Sequence, residues 1–269
     1  MSLKILTSNL KLGRWGILAW SGIVFLYALF VVYLYPIISE SSTEIMSYIN
    51  SLPDSFKAAF GLEGKLTEML SLEAFAAVEF FSFWPLLIGI YGIFVCVGIA
   101  REMEQGTLDL LMAQPVRRYK VIAGKFAVFI VSAFLIAVFS ILGIMAGAAT
   151  VDTPVNLGSI SLVFVEAFLL VLALGSVTLL CAAIFLRPRQ ALMVSGMFMG
   201  LSYILNFVVP ALPEAFKWLR NLSVFYHFQP SDIATNVALN GLSVAIYIGV
   251  FVICTGAALI TFQRRDLVA

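Results

Sequence analysis

Residues 80–150 read FFSFWPLLIGIYGIFVCVGIAREMEQGTLDLLMAQPVRRYKVIAGKFAVFIVSAFLIAVFSILGIMAGAAT, with a charged segment between two long apolar runs. The chain as a whole is 62% hydrophobic and 12% charged, whereas soluble domains carry about 25% charged residues. Eight charged side chains nevertheless lie within residues 101–125. The composition indicates a membrane protein, and the position of the charges predicts a loop outside the lipid that joins two spanning helices.

The apolar runs predict an all-α membrane protein with six transmembrane helices. A helix needs about 20 apolar residues to cross the hydrocarbon, because that layer is about 30 Å thick and each residue adds about 1.5 Å. The runs are continuous rather than alternating, which disfavours the strands of a membrane barrel. The predicted spans are residues 15–38, 80–100, 126–150, 160–186, 191–212 and 242–262. No repeat or linker divides the chain, so residues 1–269 are interpreted as a single membrane domain.

The distribution of lysine and arginine predicts that both termini are cytoplasmic. Twelve of the 16 Lys and Arg residues lie in segments that six spans place on the side of the N-terminus, namely 1–14, 101–125, 187–190 and 263–269. Such an excess marks the cytoplasmic side of the plasma membrane. The outer segments are then 39–79 and 213–241, where we expect short amphipathic helices and an interfacial aromatic layer. The net charge of +1 gives no indication of nucleic-acid binding.

The sequence lacks the residues needed for a histidine-dependent intramembrane catalytic site and for an ATP-binding phosphate loop. His227 is the only histidine, and it falls in an outer segment rather than in a membrane helix, where an intramembrane metalloprotease or a Ser–His site would need it. The sequence AGKF at 123–126 resembles the end of a phosphate-binding loop, but that motif requires Gly at 119 and Ser or Thr at 126. The chain has Tyr119 and Phe126 there. We therefore expect neither a metal site nor ATP bound by this chain.

Four residues near the outer ends of the predicted spans are candidates for a gate or a substrate path. Glu166 is the only charged residue within the six spans, and Glu79 directly precedes the second span. Carboxylates are costly to place near hydrocarbon, so they are often functional. Asn206 precedes Pro210, which is expected to kink the fifth helix. For Asn206 and Pro210, the alternative to a role in a gate or substrate path is ordinary helix packing.

The charged segment divides into an acidic, leucine-bearing half and a basic half. Residues 101–112 are predicted to form a short helix with Leu108, Leu111 and Met112 on an apolar face, and Pro115 ends it. An apolar face with no lipid to enter is typical of a protein contact. The alternative is a generic positive-inside loop, which accounts for the lysines and arginines of the basic half but not for the acidic residues and leucines.

The motif E-x-E-x-G-T-L-x-L-L-x-x-x-P-V-x-R-x-x-V-x-x-G-K, from Glu102 to Lys125, resembles the first cytoplasmic loop of ABC-2 type transporter permeases. The resemblance extends back through SLEAFAAVEFFSFWPLLIGIYGI and includes the terminal FQRRDL. Six spans with both ends inside also suit this family. One departure is Arg117, where many members have Ser between Val and Arg.

The resemblance implies that this loop is a coupling helix, between the second and third transmembrane helices, that docks in a groove of a separate ATP-binding subunit. The residues that it assigns to docking and coupling are Glu102, Glu104, Gly106, Thr107, Leu108, Leu110, Leu111, Pro115, Val116 and Arg118. Arg187 and Arg189, in the short loop after the fourth helix, would form a second and smaller contact. ATP and Mg would be bound by two copies of the partner subunit.

The implied function is that of the permease subunit of a bacterial or archaeal ABC exporter, which is not itself an enzyme. Its substrate would be a lipid, a peptide, an antibiotic or another amphiphile. Six spans are half a transporter, so a second permease half, identical or homologous, is expected within the membrane lipids. The alternative is a six-span membrane-embedded enzyme or a self-contained secondary transporter, with residues 101–125 as a topology signal alone. That class is expected to cluster ionisable residues inside the membrane.

Overall fold

A computed structural model describes residues 3–40, 47, 51–53, 56, 71–105, 118–185 and 187–264. The regular secondary structure of these residues is helical throughout. The α-helices are α1 (Leu3–Glu40), α2 (Leu72–Glu79), α3 (Trp84–Glu104), α4 (Arg118–Thr150), α5 (Leu157–Phe185), α6 (Pro188–Val208), α7 (Pro230–Asn236) and α8 (Gly241–Arg264). Short 3-10 helices at Val209–Ala211, Glu214–Leu222 and Phe225–His227 connect α6 to α7.

Six of these helices are long and apolar enough to cross a membrane, which confirms the prediction of an all-α protein with six spanning segments. The spans are Asn9–Ser39, Trp84–Glu104, Val121–Thr150, Leu157–Phe185, Pro188–Ala211 and Gly241–Arg264. The chain is therefore a multi-pass membrane protein. The side of the membrane that each end faces stays a prediction.

Polar caps and prolines set where several helices begin. Ser71 caps α2 by accepting a hydrogen bond from the backbone N–H of Ala74 at 3.2 Å. Asn156 caps α5, because its Oδ1 accepts the N–H of Gly158 at 3.0 Å. Helices α3, α6 and α7 each carry a proline in the first turn, where the missing N–H leaves no helical hydrogen bond unmade.

Helices α1 and α4 approach closely along a stripe of glycines on α4. A Cβ atom built on Gly143 would lie 2.6 Å from the backbone oxygen of Phe25 in α1. One turn later, a Cβ atom on Gly147 would lie 2.8 Å from the Cβ of Val32. This Gly-x-x-x-Gly spacing lets the two backbones come together in lipid. Since the contacts advance along both helices in the same direction, α1 and α4 run parallel.

Phe129 of α4 joins three helices. Its ring lies between Gly92 of α3 and Gly175 of α5, where an added Cβ atom would come within 2.7 Å and 2.1 Å of the ring, respectively. A further bond links α3 to α4, because the indole Nε1 of Trp84 donates to the Oγ of Ser140 at 2.9 Å. These contacts hold α3, α4 and α5 together as the centre of the bundle.

The bundle has two distinct ends. The loop end is where α3 ends at Glu104 and α4 begins at Arg118, and the opposite end is where α3 begins at Trp84 and α8 begins at Gly241. Because α1 runs parallel to α4, it begins at the loop end, and α8 finishes there. The first helix, α1, therefore begins at the same end of the bundle as the predicted coupling loop, and the last helix, α8, ends there.

The segment before α3 is buried rather than laid on the surface. Most of residues 41–70 lie outside the described part of the chain, but α2, which closes the predicted outer segment 39–79, buries most of its side chains. The turn after it contributes Phe81, whose ring packs edge-on against Phe164 of α5 with the centroids 4.6 Å apart. Helix α2 also packs against α7. Five of the eight residues of α2 are buried, so α2 packs into the bundle rather than lying on its surface as the sequence led us to expect.

Pro210 ends α6 rather than kinking it. The α-helix stops at Val208 and continues as the 3-10 helix Val209–Ala211. Proline has no N–H to donate to the carbonyl four residues earlier, that of Asn206, and its ring crowds that carbonyl. The helix therefore terminates near the proline, and the chain turns towards α7.

Candidate functional site

The predicted docking loop begins and ends on two helices that are tied together at the loop end. Lys125 of α4 donates a hydrogen bond to the carboxylate of Glu102 of α3 and forms a salt bridge with it. Both side chains are largely buried, with 13% and 28% of their surface exposed. A buried charge is stable only when it is paired and hydrogen-bonded. This stem pair, Glu102 and Lys125, therefore fixes the separation of the two helix ends from which the loop leaves.

The structure describes only part of the set predicted to dock. Glu104 is exposed in the last turn of α3, and Arg118 is the first residue of α4. Arg187 and Arg189 are exposed where α5 gives way to α6, also at the loop end. The predicted docking residues outside the described part of the chain are Gly106, Thr107, Leu108, Leu110, Leu111, Pro115 and Val116. The docking surface itself stays a prediction.

A second site lies towards the opposite end, around Glu166 of α5. Glu166 is about 14 Å along the axis from the start of α5, at about 1.5 Å per residue. Its side chain is 0% exposed, and neither carboxylate oxygen makes a hydrogen bond with the residues that the structure describes. The backbone of Asn240 and the hydroxyl of Ser243 interact with the carboxylate, but not with the geometry of an ordinary hydrogen bond. The Ser243 hydroxyl, however, donates to the carbonyl of His227 at 2.7 Å.

Glu166 forms part of the wall of a cavity of about 200 Å³. The other residues that line this Glu166 cavity are His227, Gln229, Asp232, Ile233, Asn236, Ala238, Leu239 and Asn240. They come from α7 and from the turns on either side of it, so this short helix builds the cavity against α5. Asn240 also caps α8, because its Oδ1 accepts the N–H of Leu242 at 3.0 Å. The positive end of the α8 dipole therefore lies beside the cavity.

Hydroxyl groups fix the turn that leads into the cavity. Ser202 of α6 accepts the backbone N–H of Val224 at 2.9 Å, and Ser223 donates to the Ser202 carbonyl at 2.6 Å. Tyr247 of α8 donates to the carbonyl of Val224 at 3.4 Å. The 3-10 helix that carries His227 is therefore anchored to both α6 and α8.

Of the four residues predicted for a gate or substrate path, only Glu166 lines this cavity. Glu79 has an exposed position at the end of α2, but desolvation by the neighbouring helices raises the pKa of its carboxyl above the ordinary 4.5. Its backbone carbonyl accepts a hydrogen bond from the hydroxyl of Tyr27 at 2.7 Å. Asn206 lies in the last turn of α6, and Pro210 lies in the 3-10 helix that follows. These three residues therefore belong to other parts of the opposite end.

The sequence interpretation did not select the polar residues that line the cavity with Glu166. They lie in HFQPSDIATN, residues 227–236, a polar interval between the aromatic segment and the last span. Pro230 at the first position and Asp232 in the first turn are a helix start signal that marks α7. Such a signal predicts a short helix. It carries no information on which distant residue the helix will contact.

A family comparison and a comparison with curated proteins both match the chain to ABC transporter proteins. Residues 16–267 match the family described as "ABC-2 family transporter protein". Two curated relatives from strains of Escherichia coli, both described as "Probable multidrug ABC transporter permease YbhR", are similar to the chain, with 28% identity over 181 residues. The alignment covers 64% of this chain and 47% of each relative, so the chain spans about half the length of the curated relatives it matches.

Proposed function

The chain belongs to the ABC-2 family of transporter proteins, and we propose that it is the permease subunit of an ATP-driven exporter. A separate ATP-binding subunit, in two copies, binds ATP and Mg and supplies the hydrolysis. This chain provides the path for a lipid, a peptide, an antibiotic or another amphiphile. The observation that carries the proposal is the family match over nearly the whole chain. The description of the relatives as multidrug ABC transporter permeases supports it.

In this proposal the loop end faces the cytoplasm, and the membrane is the plasma membrane. Positively charged loops are retained on the cytoplasmic side during insertion. Among the residues whose side chains the structure describes, the exposed arginines at the loop end are Arg14, Arg101, Arg187, Arg189 and Arg264. Both termini of the chain are then cytoplasmic, and the Glu166 cavity faces the outer half of the membrane.

The stem pair supports a coupling role for residues 101–125. Because Glu102 and Lys125 tie α3 to α4, a displacement of the docked loop moves the two helices together. Phe129 joins these helices to α5, on which Glu166 lies. Closure of the ATP-binding subunits is thereby transmitted from the loop end towards the opposite end of the bundle.

Two substitutions in the predicted docking segment test this coupling. Leu111→Asp places a charge on the predicted apolar face, and Glu104→Lys reverses an exposed charge at the end of α3. We expect either variant to insert normally but to lose the co-purifying ATPase in mild detergent, or to keep it without transport-coupled hydrolysis. The matched control is Glu214→Lys, the same charge reversal at an exposed glutamate of the opposite end, which should leave both readouts unchanged.

Full transport-coupled ATPase activity in both Leu111→Asp and Glu104→Lys would show that the loop does not couple. Membrane insertion is checked by the yield of monodisperse protein in detergent, so that a folding defect is not mistaken for a docking defect. A co-purified protein identified as an ABC ATPase supports the assignment of the partner class. Transport activity of the purified chain without any ATPase would favour a self-contained transporter instead.

A second permease half, identical or homologous, completes the proposed assembly. Within one chain, the most apolar segments of α8 and α6 are only 11% and 22% buried, against 61% for α5. These two helices therefore offer the largest faces to lipid or to a second half. The mass of the detergent-purified complex, measured with the bound lipids removed, distinguishes one permease copy from two.

A further inference from the structure

We propose that the Glu166 cavity binds the ammonium group of a cationic amphiphile. This inference rests on the proposed function, since it names the chemistry of a molecule that the permease would hold. It is carried by a carboxylate that is fully buried, that lines a cavity and that makes no hydrogen bond of ordinary geometry with the described residues, although the backbone of Asn240 and the hydroxyl of Ser243 interact with it. A buried carboxylate in this state lacks the partner that normally offsets its desolvation.

The charge of the cavity selects a cation. Glu166 and Asp232 contribute two carboxylates, and no lysine or arginine is among the lining residues that the structure describes. His227 lines the same cavity, but Glu166 makes no hydrogen bond with it. Two acidic residues with no internal cation among the described lining residues make the cavity a site for an external cation.

The donor and acceptor pattern indicates an ammonium group. A primary ammonium has three N–H donors, and the residues that line the cavity include the acidic Glu166 and Asp232 and the amide residues Gln229 and Asn236. A metal ion fits less well, because the described His, Cys, Asp and Glu residues form no group of three or more that would hold one. Calcium, for comparison, requires about six to eight oxygen ligands.

The size of the cavity indicates a head group rather than a whole molecule. Its volume of about 200 Å³ is below the roughly 300–1,000 Å³ of sites that enclose a drug-sized ligand. Residues 236–240 at its edge are exposed, so the cavity opens on that side. The ammonium enters the cavity, and the apolar tail stays outside, against Leu239 and the surrounding lipid.

The first test is binding of n-octylamine, which is protonated at neutral pH, to the purified chain in a neutral detergent. The neutral isostere n-octanol controls for binding of the tail. We expect octylamine to raise the melting temperature of the wild-type protein and octanol to leave it unchanged. Glu166→Gln should weaken octylamine binding by roughly tenfold or more, because it removes a buried charge-assisted hydrogen bond.

The matched control is Glu79→Gln, which neutralises an exposed carboxylate of the opposite end that does not line the cavity. It should bind octylamine like the wild type. Asp232→Asn is the second cavity variant, used in case Glu166→Gln does not fold, and it should also weaken binding. Equal affinity for octylamine in the wild type and in the folded cavity variants would overturn the proposal. Octanol binding as tight as that of octylamine would overturn it too.

A second measurement distinguishes a lipid from a transported amine as the source of the ammonium group. The protein is reconstituted with phosphatidylethanolamine and phosphatidylglycerol, extracted, and examined by native mass spectrometry. Retention of phosphatidylethanolamine by the wild type but not by Glu166→Gln assigns the site to a lipid head group. Octylamine binding without such retention assigns it to a soluble amine. Neither measurement needs the partner ATPase. Failure of amine binding would therefore leave the assignment of the chain as a permease subunit unaffected. Failure of that assignment would likewise leave the amine-binding result unaffected.

Discussion

The sharpest structural prediction concerns the contact of α1 with α4 at Gly143. Gly143→Ala would add a Cβ atom 2.6 Å from the backbone oxygen of Phe25 and 2.9 Å from the Cβ of Ala28. Ordinary contact begins at 3.4 Å, so the two helices would need about 0.8 Å more separation. The obstructing oxygen belongs to a helical backbone and cannot rotate away. Overpacking of this kind costs about 1–3 kcal/mol.

The control for this substitution is Gly200→Ala, on α6. A Cβ atom built at Gly200 meets nothing within 4 Å. Both variants gain the same helix propensity, about 1 kcal/mol for alanine over glycine, so the difference between them isolates the contact with α1. Thermal unfolding in detergent should give an apparent melting temperature lower by about 2–10 °C for Gly143→Ala than for Gly200→Ala. Equal melting temperatures would show that the glycine stripe does not bring α1 and α4 together.

Three further predictions follow from other contacts of the bundle. Trp84→Phe removes the donor to Ser140 and should lower the stability by about 1 kcal/mol; Ser140→Ala should add little in that background, as a double-mutant cycle by thermal unfolding would show. Glu102→Lys or Lys125→Glu should each reduce the ATPase activity of the complex, whereas the double exchange should recover part of it; no recovery would contradict the stem pair. The raised pKa of Glu79 means that the folded state favours the protonated carboxyl. The melting temperature should therefore fall as the pH rises from the ordinary value of 4.5 through the raised pKa, and Glu79→Gln should lose this part of the pH dependence.

The six spanning helices were predictable because lipid makes strong demands on the sequence. A helix in hydrocarbon must be long and apolar, and its backbone must be satisfied internally. The packing between the helices was harder to predict from the sequence. Gly143 and Gly147 lie in a segment that is apolar on every side, so their spacing does not reveal which helix they will meet. The burial of α2 was also missed, because a short helix next to a long outer segment resembles a surface helix in composition.

Part of the candidate site was likewise predictable from the sequence, and part of it was not. Glu166 was selected from the sequence, since a single carboxylate inside an apolar run is costly and therefore informative. The cavity that faces it was not, because Asp232 and Asn240 reach Glu166 only through the folding of α7 against α5. The residues of the predicted docking loop are fixed by a spaced motif, and their contact with a partner stays a prediction. Pro210 shows the limit of local rules, since a proline signal alone does not distinguish a kink from a helix end.

The contact of α7 with α2 has a consequence for any molecule held beside Glu166. Helix α7 forms a wall of the cavity, and the same helix packs on α2 at the opposite end of the bundle. Occupancy of the cavity and closure of this pair of short helices are therefore thermodynamically linked, and the linkage is reciprocal. A ligand that requires the α7 wall stabilises the packing of α7 on α2 by its own coupling free energy. If the proposed exporter releases its substrate by separating these two helices, the proposed ATP-binding partner has to supply at least that amount of work.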